Sequence, residues 1–534
     1  MSVAQVLTQP SAGGGAFHRA ASVLSRVAQG WLVPVALLLL WGIAASREWM
    51  PSQILPAPEL VWQTALELAR EDLFPNLWIS LRRLAAGLAL GIAAGGVLGV
   101  LMGCGVGARR IIYPTFFALT QVPTLAWLPL FMIVFGIGEA LKLAVIIKAV
   151  VVPIAIHTMV GLNDTQPKLR EVAQAMRLPS GLVLRKLVLP TALPAFITGL
   201  RLALSQAWVS LLAVELLASS EGIGYLMVWG RQLFMLDIVF VCIIVIGLVG
   251  VLLDRSVRKV ERSLIRWPHP ATAELALPNL QGWGRVLPWI LPLTILGLWW
   301  SSNHYQWVNS TSLPAPTAVL HALWQGLSDG SLPEAMLGTL ARALAGLLVG
   351  GTIGATLGLL LGMVPVLDRL LGPSFSALQQ IAVFAWVPLI TAWFGLGEEA
   401  KIAFVALAAF FPMFVAARHG VASLSPPLIE AARVLRLQPL MRLRVLVLPG
   451  AASAIFAGLH LGLTYAWLGA IGAEYFTRSA VGIGSLMINA QQILRMDVLL
   501  SAMVLVGVTG ALLRMLGERL EARTTRWRTT RLRS

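Results

Sequence analysis

Several short motifs in the first half of this 534-residue chain return in the second half at a nearly constant distance. Leu55-Pro56-Ala57-Pro58 returns as Leu313-Pro314-Ala315-Pro316, and Arg83, Gly87 and Gly91 return as Arg342, Gly346 and Gly350. Ala126-Trp127-Leu128-Pro129-Leu130 returns as Ala385-Trp386-Val387-Pro388-Leu389, and Phe135-Gly136-Ile137-Gly138-Glu139 as Phe394-Gly395-Leu396-Gly397-Glu398. Pro129 and Pro388 are 259 residues apart, as are most of these pairs. An offset held across many motifs marks a tandem duplication, so the chain must fold as two copies of one unit. The sequence divides into an N-terminal segment at 1–30, a first unit at 31–254 and a basic, proline-containing linker at 255–285. A second unit follows at 286–515, then a basic tail at 516–534.

What each unit folds into follows from its solvent. Hydrophobic residues make up 57% of the chain and charged residues 12%, with mean hydropathy +0.80. A soluble domain carries about 25% charged residues, so much of this surface faces lipid. Six apolar segments of roughly membrane length recur in each copy. They lie near 31–46, 84–106, 111–136, 140–162, 195–219 and 234–254 in the first copy. In the second they lie near 287–301, 343–365, 370–396, 400–422, 454–476 and 496–515. The expected fold class is an all-α membrane protein of about 12 transmembrane helices in two six-helix repeats. The run from Trp31 to Ser46 ends Ala-Ala-Ser like a signal peptide, but the second copy has the same span, so it reads as a membrane helix.

A formal net charge of +16 would suggest nucleic acid in a soluble protein. Here the basic residues cluster between apolar runs, at Arg109-Arg110, Lys168 to Lys186, Arg255 to Arg266 and Arg514 onward. That is the positive-inside pattern, which puts both termini in the cytoplasm and involves the bilayer but no nucleic acid. The tail arginines Arg523, Arg526, Arg528, Arg531 and Arg533 serve as a topology anchor or bind anionic headgroups. Arg82-Arg83 and Arg342 fall on the outer side and stand as exceptions. An even span count makes the two copies parallel repeats, related by a pseudo-twofold axis along the membrane normal.

The longest polar interruption in each copy lies between the fourth and fifth spans. It contains Glu171-Val172-Ala173 in the first copy and Glu430-Ala431-Ala432 in the second, and each glutamate is followed 19 residues later by the proline of a Leu-Pro pair, Pro190 and Pro449. Val172, Ala175 and Met176 share one helical face, as do Ala431, Val434 and Leu435. A short amphipathic helix between membrane spans needs a partner groove to press into.

Glu-x-Ala with Leu-Pro behind it resembles the EAA loop of ABC importer permeases, the binding-protein-dependent inner-membrane components. The resemblance covers nearly all of each copy. Leu-Pro-Ala-Pro, Ala-Trp-x-Pro-Leu, Phe-Gly-x-Gly-Glu and the late Gly222-Ile223-Gly224 (Gly482-Ile483-Gly484) narrow it to the nitrate/sulfonate/taurine-type subfamily. The resemblance implies the type I importer, MetI-like permease fold in the bacterial inner membrane. It also implies two ATPase subunits that bind ATP and Mg, and a periplasmic solute-binding protein. ATPase coupling then falls to Glu171, Ala173, Arg177, Pro190, Glu430, Ala432, Arg436 and Pro449. The family usually has glycine six residues after the glutamate, where this chain has Arg177 and Arg436. Two readings stay open there: the helix runs on by another turn, or both arginines pair with acidic residues of a matched ATPase.

The chain itself shows no G-x-x-x-x-G-K-[ST] phosphate loop and no catalytic or metal-ligand constellation, so an enzyme and a resident cofactor are not expected. Cys104 and Cys242 both sit in apolar runs and give no disulfide framework. Ionisable groups within spans are costly, so each is a functional candidate. Gln121, Lys148, Arg201, Gln380 and His460 are candidates for the translocation pathway. Glu215, Gly222, Gly224, Glu474, Gly482 and Gly484 are candidates for an outer gate or a binding-protein contact, with helix capping the alternative. Asp237 and Asp497 start the sixth spans as a further matched pair. The first expectation is an importer permease for a sulfonate, taurine, nitrate or similar oxyanion. A 6+6 secondary transporter is the alternative, and a membrane scaffold or receptor the remaining class. Fusion of two units predicts one permease chain per complex, since a linker of about 30 residues has an r.m.s. span of roughly 30 Å.

Overall fold

The computed structural model describes residues 16–163, 167–265, 286–308, 313–477 and 481–524. Residues 1–15, most of the expected linker (266–285) and the tail with Arg526, Arg528, Arg531 and Arg533 lie outside the described residues. The described residues are helical and form no strand. The first copy comprises α1 (Ala16–Ser46), α2 (Pro58–Arg70), α3 (Leu73–Cys104), α4 (Val106–Thr120) and α5 (Leu128–Phe135). It continues with α6 (Glu139–Asn163), α7 (Pro167–Ala175), α8 (Leu189–Ala218), α9 (Ile223–Gln232) and α10 (Leu236–Leu264). The second copy repeats the order as α11 (Leu287–His304), α12 (Pro316–Ser328), α13 (Ser331–Met363), α14 (Pro365–Leu378) and α15 (Val387–Phe394). It ends with α16 (Glu398–Ala422), α17 (Pro426–Val434), α18 (Leu448–Phe476), α19 (Ile483–Gln492) and α20 (Met496–Thr524).

Eight helices are long and apolar enough to cross a membrane, and two bent pairs raise the number to ten. The other two expected spans are α1, whose apolar part is Gly30–Ser46, and α11. Leu37, Leu38, Leu39 and Leu40 on α1 are all exposed, as are Trp289, Leu293 and Leu298 on α11, which suits helices immersed in lipid.

The third span of each copy, expected at 111–136 and 370–396, is broken into two pieces. The chain turns by 90° between α4 and α5, and by 90° between α14 and α15. A 3₁₀ turn, Thr124–Trp127 or Val383–Trp386, fills each corner. Pro123 does not explain this, because Ala382 holds the same place in the second copy. The shared cause is Pro129 and Pro388 in the first turns of α5 and α15. Neither has an N–H for the carbonyl four residues back, at Leu125 or Phe384, which favours a break at that turn. Gly136 (φ +68°) and Gly395 (φ +74°) end the short second pieces in the left-handed region, which glycine enters without steric cost.

Inside each copy, α3 packs on α6 and α13 on α16 through glycines spaced by four. Gly87, Gly91, Gly95 and Gly99 line one face of α3, and Gly346, Gly350, Gly354 and Gly358 that of α13. A Cβ at Gly99 would stand 2.8 Å from the Ala155 carbonyl. Lipid gives these helices no hydrophobic reason to associate, so close backbone approach supplies the contact.

The two arginines that stood as exceptions to the positive-inside pattern are accounted for by their partners. Arg83 is 2% exposed and donates to Glu139 (2.9 Å) and Glu215 (2.9 Å), while Lys142 donates to Glu139 (2.9 Å). Arg342 bonds to Glu398 (2.9 Å) and Glu474 (2.7 Å), with Lys401 on Glu398 (2.8 Å). Each arginine thus stands in a network with a lysine and two carboxylates, and in the first copy a third carboxylate, Glu221, lies 3.7 Å from Arg83. Arg83 and Arg342 are therefore not free positive charges, and the topology bias has no grounds to act on them.

Each copy also reaches into the other. α1 packs against α14, with Gly30 beside Pro373, and α11 packs against α4. α10 lies on the second copy's corner through Gly247 and Gly250, and α20 lies on the first copy's corner through Gly507 and Gly510. Replacing Arg83 by Met strands the buried Glu215, while Glu139 keeps Lys142. Breaking such a buried pair from one side costs about 3–5 kcal/mol. A lowered thermal midpoint in detergent is expected for Arg83→Met, with partial recovery in Arg83→Met/Glu215→Met.

Candidate functional site

The expected coupling segments form two short helices, α7 and α17, each followed by a turn and a second helical stretch leading into α8 or α18. One π-helical turn, Leu184–Val188 or Leu443–Val447, precedes the Leu-Pro pair in each copy. The proline accounts for it: Pro190 and Pro449 cannot donate to the preceding turn, and widening that turn relieves the ring's clash with the carbonyl four residues back. Ala173 and Ala432 are buried at 7% and 6% and face the body of the protein. Val172 (54%), Met176 (66%), Val434 (82%) and Leu435 (70%) are exposed beside Glu171 and Glu430. The apolar face expected from the spacing is thus turned outward.

The helices do not run on through Arg177 and Arg436. Leu178 N–H donates to Ala173 O (3.0 Å) and Arg177 N–H to Gln174 O (2.9 Å). Leu437 N–H donates to Ala432 O (3.1 Å) and Arg436 N–H to Arg433 O (3.0 Å). This is the Schellman closure, whose C′ residue is left-handed and usually glycine. Arg177 has φ 50° and Arg436 φ 47°. The stop is set by Pro179 and Pro439, which follow two and three residues later and disfavour helix for the residue before them. A left-handed side chain costs ~1 kcal/mol that glycine would not.

At the opposite end, Glu215 and Glu474 are fully buried within their own copies. Glu215 accepts from Ser80 (2.8 Å) and from the Gly224 N–H (3.1 Å), and Glu474 from Thr339 (2.7 Å) and the Gly484 N–H (2.7 Å). A Cβ at Gly222 or Gly482 would fall on these carboxylates. Glu215 packs with Gly222 and Gly224, and Glu474 with Gly482 and Gly484, so the carboxylates have no surface to offer a partner. Asp237 accepts from Thr64 (2.6 Å), tying α10 to α2, whereas Asp497 pairs with Arg495 (2.9 Å).

A cavity of about 640 Å³ lies between the copies. It extends from Trp208, Phe384 and Gly469 at depth to Arg201, Asp254 and Val257 at the end carrying the basic segments, with Leu407 and Phe411 in its wall. Of the five pathway candidates, Arg201 and Gln380 line it. Arg201 is paired with Asp254 (2.9 Å), which also holds Arg258. Gln121, Lys148 and His460 do not line it. Gln121 caps its own helix at Phe117 O (3.1 Å). Lys148 donates to Val122 O (2.9 Å) and Thr124 Oγ1 (3.3 Å), bracing the first copy's corner where Leu407 stands bare in the second. His460 Nδ1 is buried against Gly517 with no hydrogen-bond partner among the described residues.

Beyond the cavity, apolar side chains are tightly packed. Leu125 and Phe384 occupy matching places in the two 3₁₀ corners and are 2% and 1% exposed. Both reach Gly472, where a Cβ would stand 2.8 Å from Phe384 and 3.4 Å from Leu125. Phe404 and Phe476 back Phe384 at ring distances of 5.3 and 5.8 Å. The sequence reading missed this pair because it weighed polar groups only. The signal was there, since large apolar residues stand at matched places four residues before Pro129 and Pro388.

The family comparison finds the same unit twice, as the two copies require. The model for "Binding-protein-dependent transport system inner membrane component" matches residues 87–266 and again 350–526. The chain belongs to this family. It is therefore a multi-pass membrane permease of ABC transporters rather than an enzyme. It is 36% identical over 243 residues to a protein of Escherichia coli named as an aliphatic sulfonates transport permease, SsuC, covering 46% of this chain and 92% of that protein. The Bacillus subtilis SsuC is 35% identical over 240 residues, covering 45% and 87%. The taurine transport system permease protein TauC of Escherichia coli is 32% identical over 237 residues, covering 43% and 86%. Each relative thus matches about half of this chain, as a duplicated unit requires.

Removing the apolar closure should open a leak. Leu125→Ala/Phe384→Ala is expected to give passive solute flux in reconstituted liposomes, read by swelling, where the unaltered permease stays tight.

Proposed function

We propose that this chain forms the entire translocation pathway of an ATP-driven importer for small organic sulfonates of the taurine and alkanesulfonate kind. The cavity between the copies, shut on one side by Leu125 and Phe384, carries this reading. Its position supports an inward-facing resting state, with the basic end and both termini in the cytoplasm of a bacterial inner membrane. A periplasmic binding protein delivers solute at the end that bears the Arg83 and Arg342 networks. Two ATPase subunits, which bind ATP and Mg, seat on α7 and α17. Their closure draws the two helices together, parts the corners at Leu125 and Phe384, and admits solute. Release after hydrolysis returns the cavity to the cytoplasm.

The substrate class rests on the names of the relatives and on the character of the wall. Leu407, Phe411, Phe384 and Trp208 suit a short apolar body, and Arg201 and Gln380 suit a polar head. An ion-coupled carrier would need acids at mid-depth that are free to exchange a cation. The buried Glu215 and Glu474 are each bonded to an arginine.

Reversing Glu171 and Glu430 to Lys should abolish sulfonate uptake and leave the amount of chain in the membrane unchanged, because both side chains are exposed. Uptake at the unaltered rate by the double variant would remove α7 and α17 from the coupling. The exchange of α1 and α11 between copies also predicts stoichiometry. Native mass spectrometry of the purified complex should find one 57.4 kDa chain with two ATPase subunits. Two copies of the chain in the minimal active particle would contradict a pathway closed within one chain.

A further inference from the structure

The turns that end α7 and α17 place the same residue at the same unfavourable backbone position. Arg177 and Arg436 both occupy the left-handed C′ site. Both side chains are exposed, and neither makes an ion pair with a described residue. Each lies beside the outward apolar pair of its helix, Val172 and Met176 or Val434 and Leu435. The neighbouring positions have diverged: Gln174 has become Arg433, Ala175 has become Val434, and Met176 has become Leu435. The arginine has not. A cation at a helix C-terminus is favoured by the helix dipole, but a lysine or arginine elsewhere in the last turn would serve as well without a left-handed backbone.

We infer that Arg177 and Arg436 are recognition residues for the ATPase, each projecting from the end of its short helix to bind a carboxylate in the cleft that receives the apolar face. The inference rests on the importer reading and adds the chemistry of the partner. That cleft is apolar along its length and acidic at the end nearest the helix C-terminus. Guanidinium favours this pairing because it binds a carboxylate through two parallel N–H donors. Because both copies present the same charge at the same place, one kind of ATPase fits both sites despite the divergence around them.

The test titrates the ATPase that co-purifies with the chain against detergent-solubilised permease, free of lipid vesicles. Arg177→Gly/Arg436→Gly should weaken association by at least about tenfold. The loss should shrink as salt rises, and the permease's own thermal midpoint should hold or increase as the turns relax. Arg177→Lys/Arg436→Lys should recover part of the affinity, since charge is kept and the fork is lost. Equal or tighter ATPase binding by the glycine variant would overturn the inference while leaving the importer reading intact. So would a defect confined to flotation with phosphatidylglycerol vesicles, which would assign the arginines to lipid headgroups. Failure of the unaltered chain to bind any ATPase would sink the importer reading itself, and the inference with it.

Discussion

One arginine in each copy holds together the half of the protein away from the basic segments. Arg83 sits on α3 and bonds to Glu139 at the start of α6 and to Glu215 near the end of α8. Glu215 in turn takes the N–H of Gly224, which fixes the entry to α9. Three long helices and a loop thus meet on one guanidinium, and Arg342 repeats the arrangement. Charges buried this way contribute little net stability compared with an apolar core, but removing one partner is severe. Their value here is positional. Glycine-lined helices in lipid could slide along one another at small cost, and a bonded charge cluster at one end fixes their register.

With that end fixed, change is left to the other. The cavity lies on the side away from the two networks, and its walls are drawn from both copies. The symmetry there is imperfect. Asp254 with Arg258 in the first copy is matched by Arg514 with Glu518 in the second, the same ion pair with its signs exchanged. Lys148 braces one corner and Leu407 leaves the other to the cavity.

Much of this was legible in the sequence, and the part that was not has physical reasons. The duplication, the lipid-facing helices and the exposed faces of α7 and α17 follow from spacing and polarity alone. Arg83 and Arg342 were visible as a repeated pair yet read as topology exceptions. Glu139, Glu398, Glu215 and Glu474 recur with them in both copies, and a charge balance between matched positions would have joined them. Pro129 and Pro388 recur inside both expected third spans and mark a break there, but the 90° angle of the corners is set by tertiary packing that a sequence pattern does not carry. The turns at Arg177 and Arg436 depend on a backbone angle that arginine does not advertise. Pro179 and Pro439 hint at it, as does the glycine usual at that place in the family the chain resembles.

The exchange of first helices has a bearing on how the chain is made. α1 is packed against α14, and α4 against α11. When α1 leaves the ribosome its partner is still more than 300 residues away. At about 5–20 residues per second, this gap amounts to roughly 15–60 s of elongation. Over that interval the leading copy sits in the bilayer with two helix faces uncovered, held by its own glycine contacts and its charge cluster. Joining the units in one polypeptide makes the wait finite and its end certain. Two separately translated halves would have to find each other by diffusion with the same faces bare.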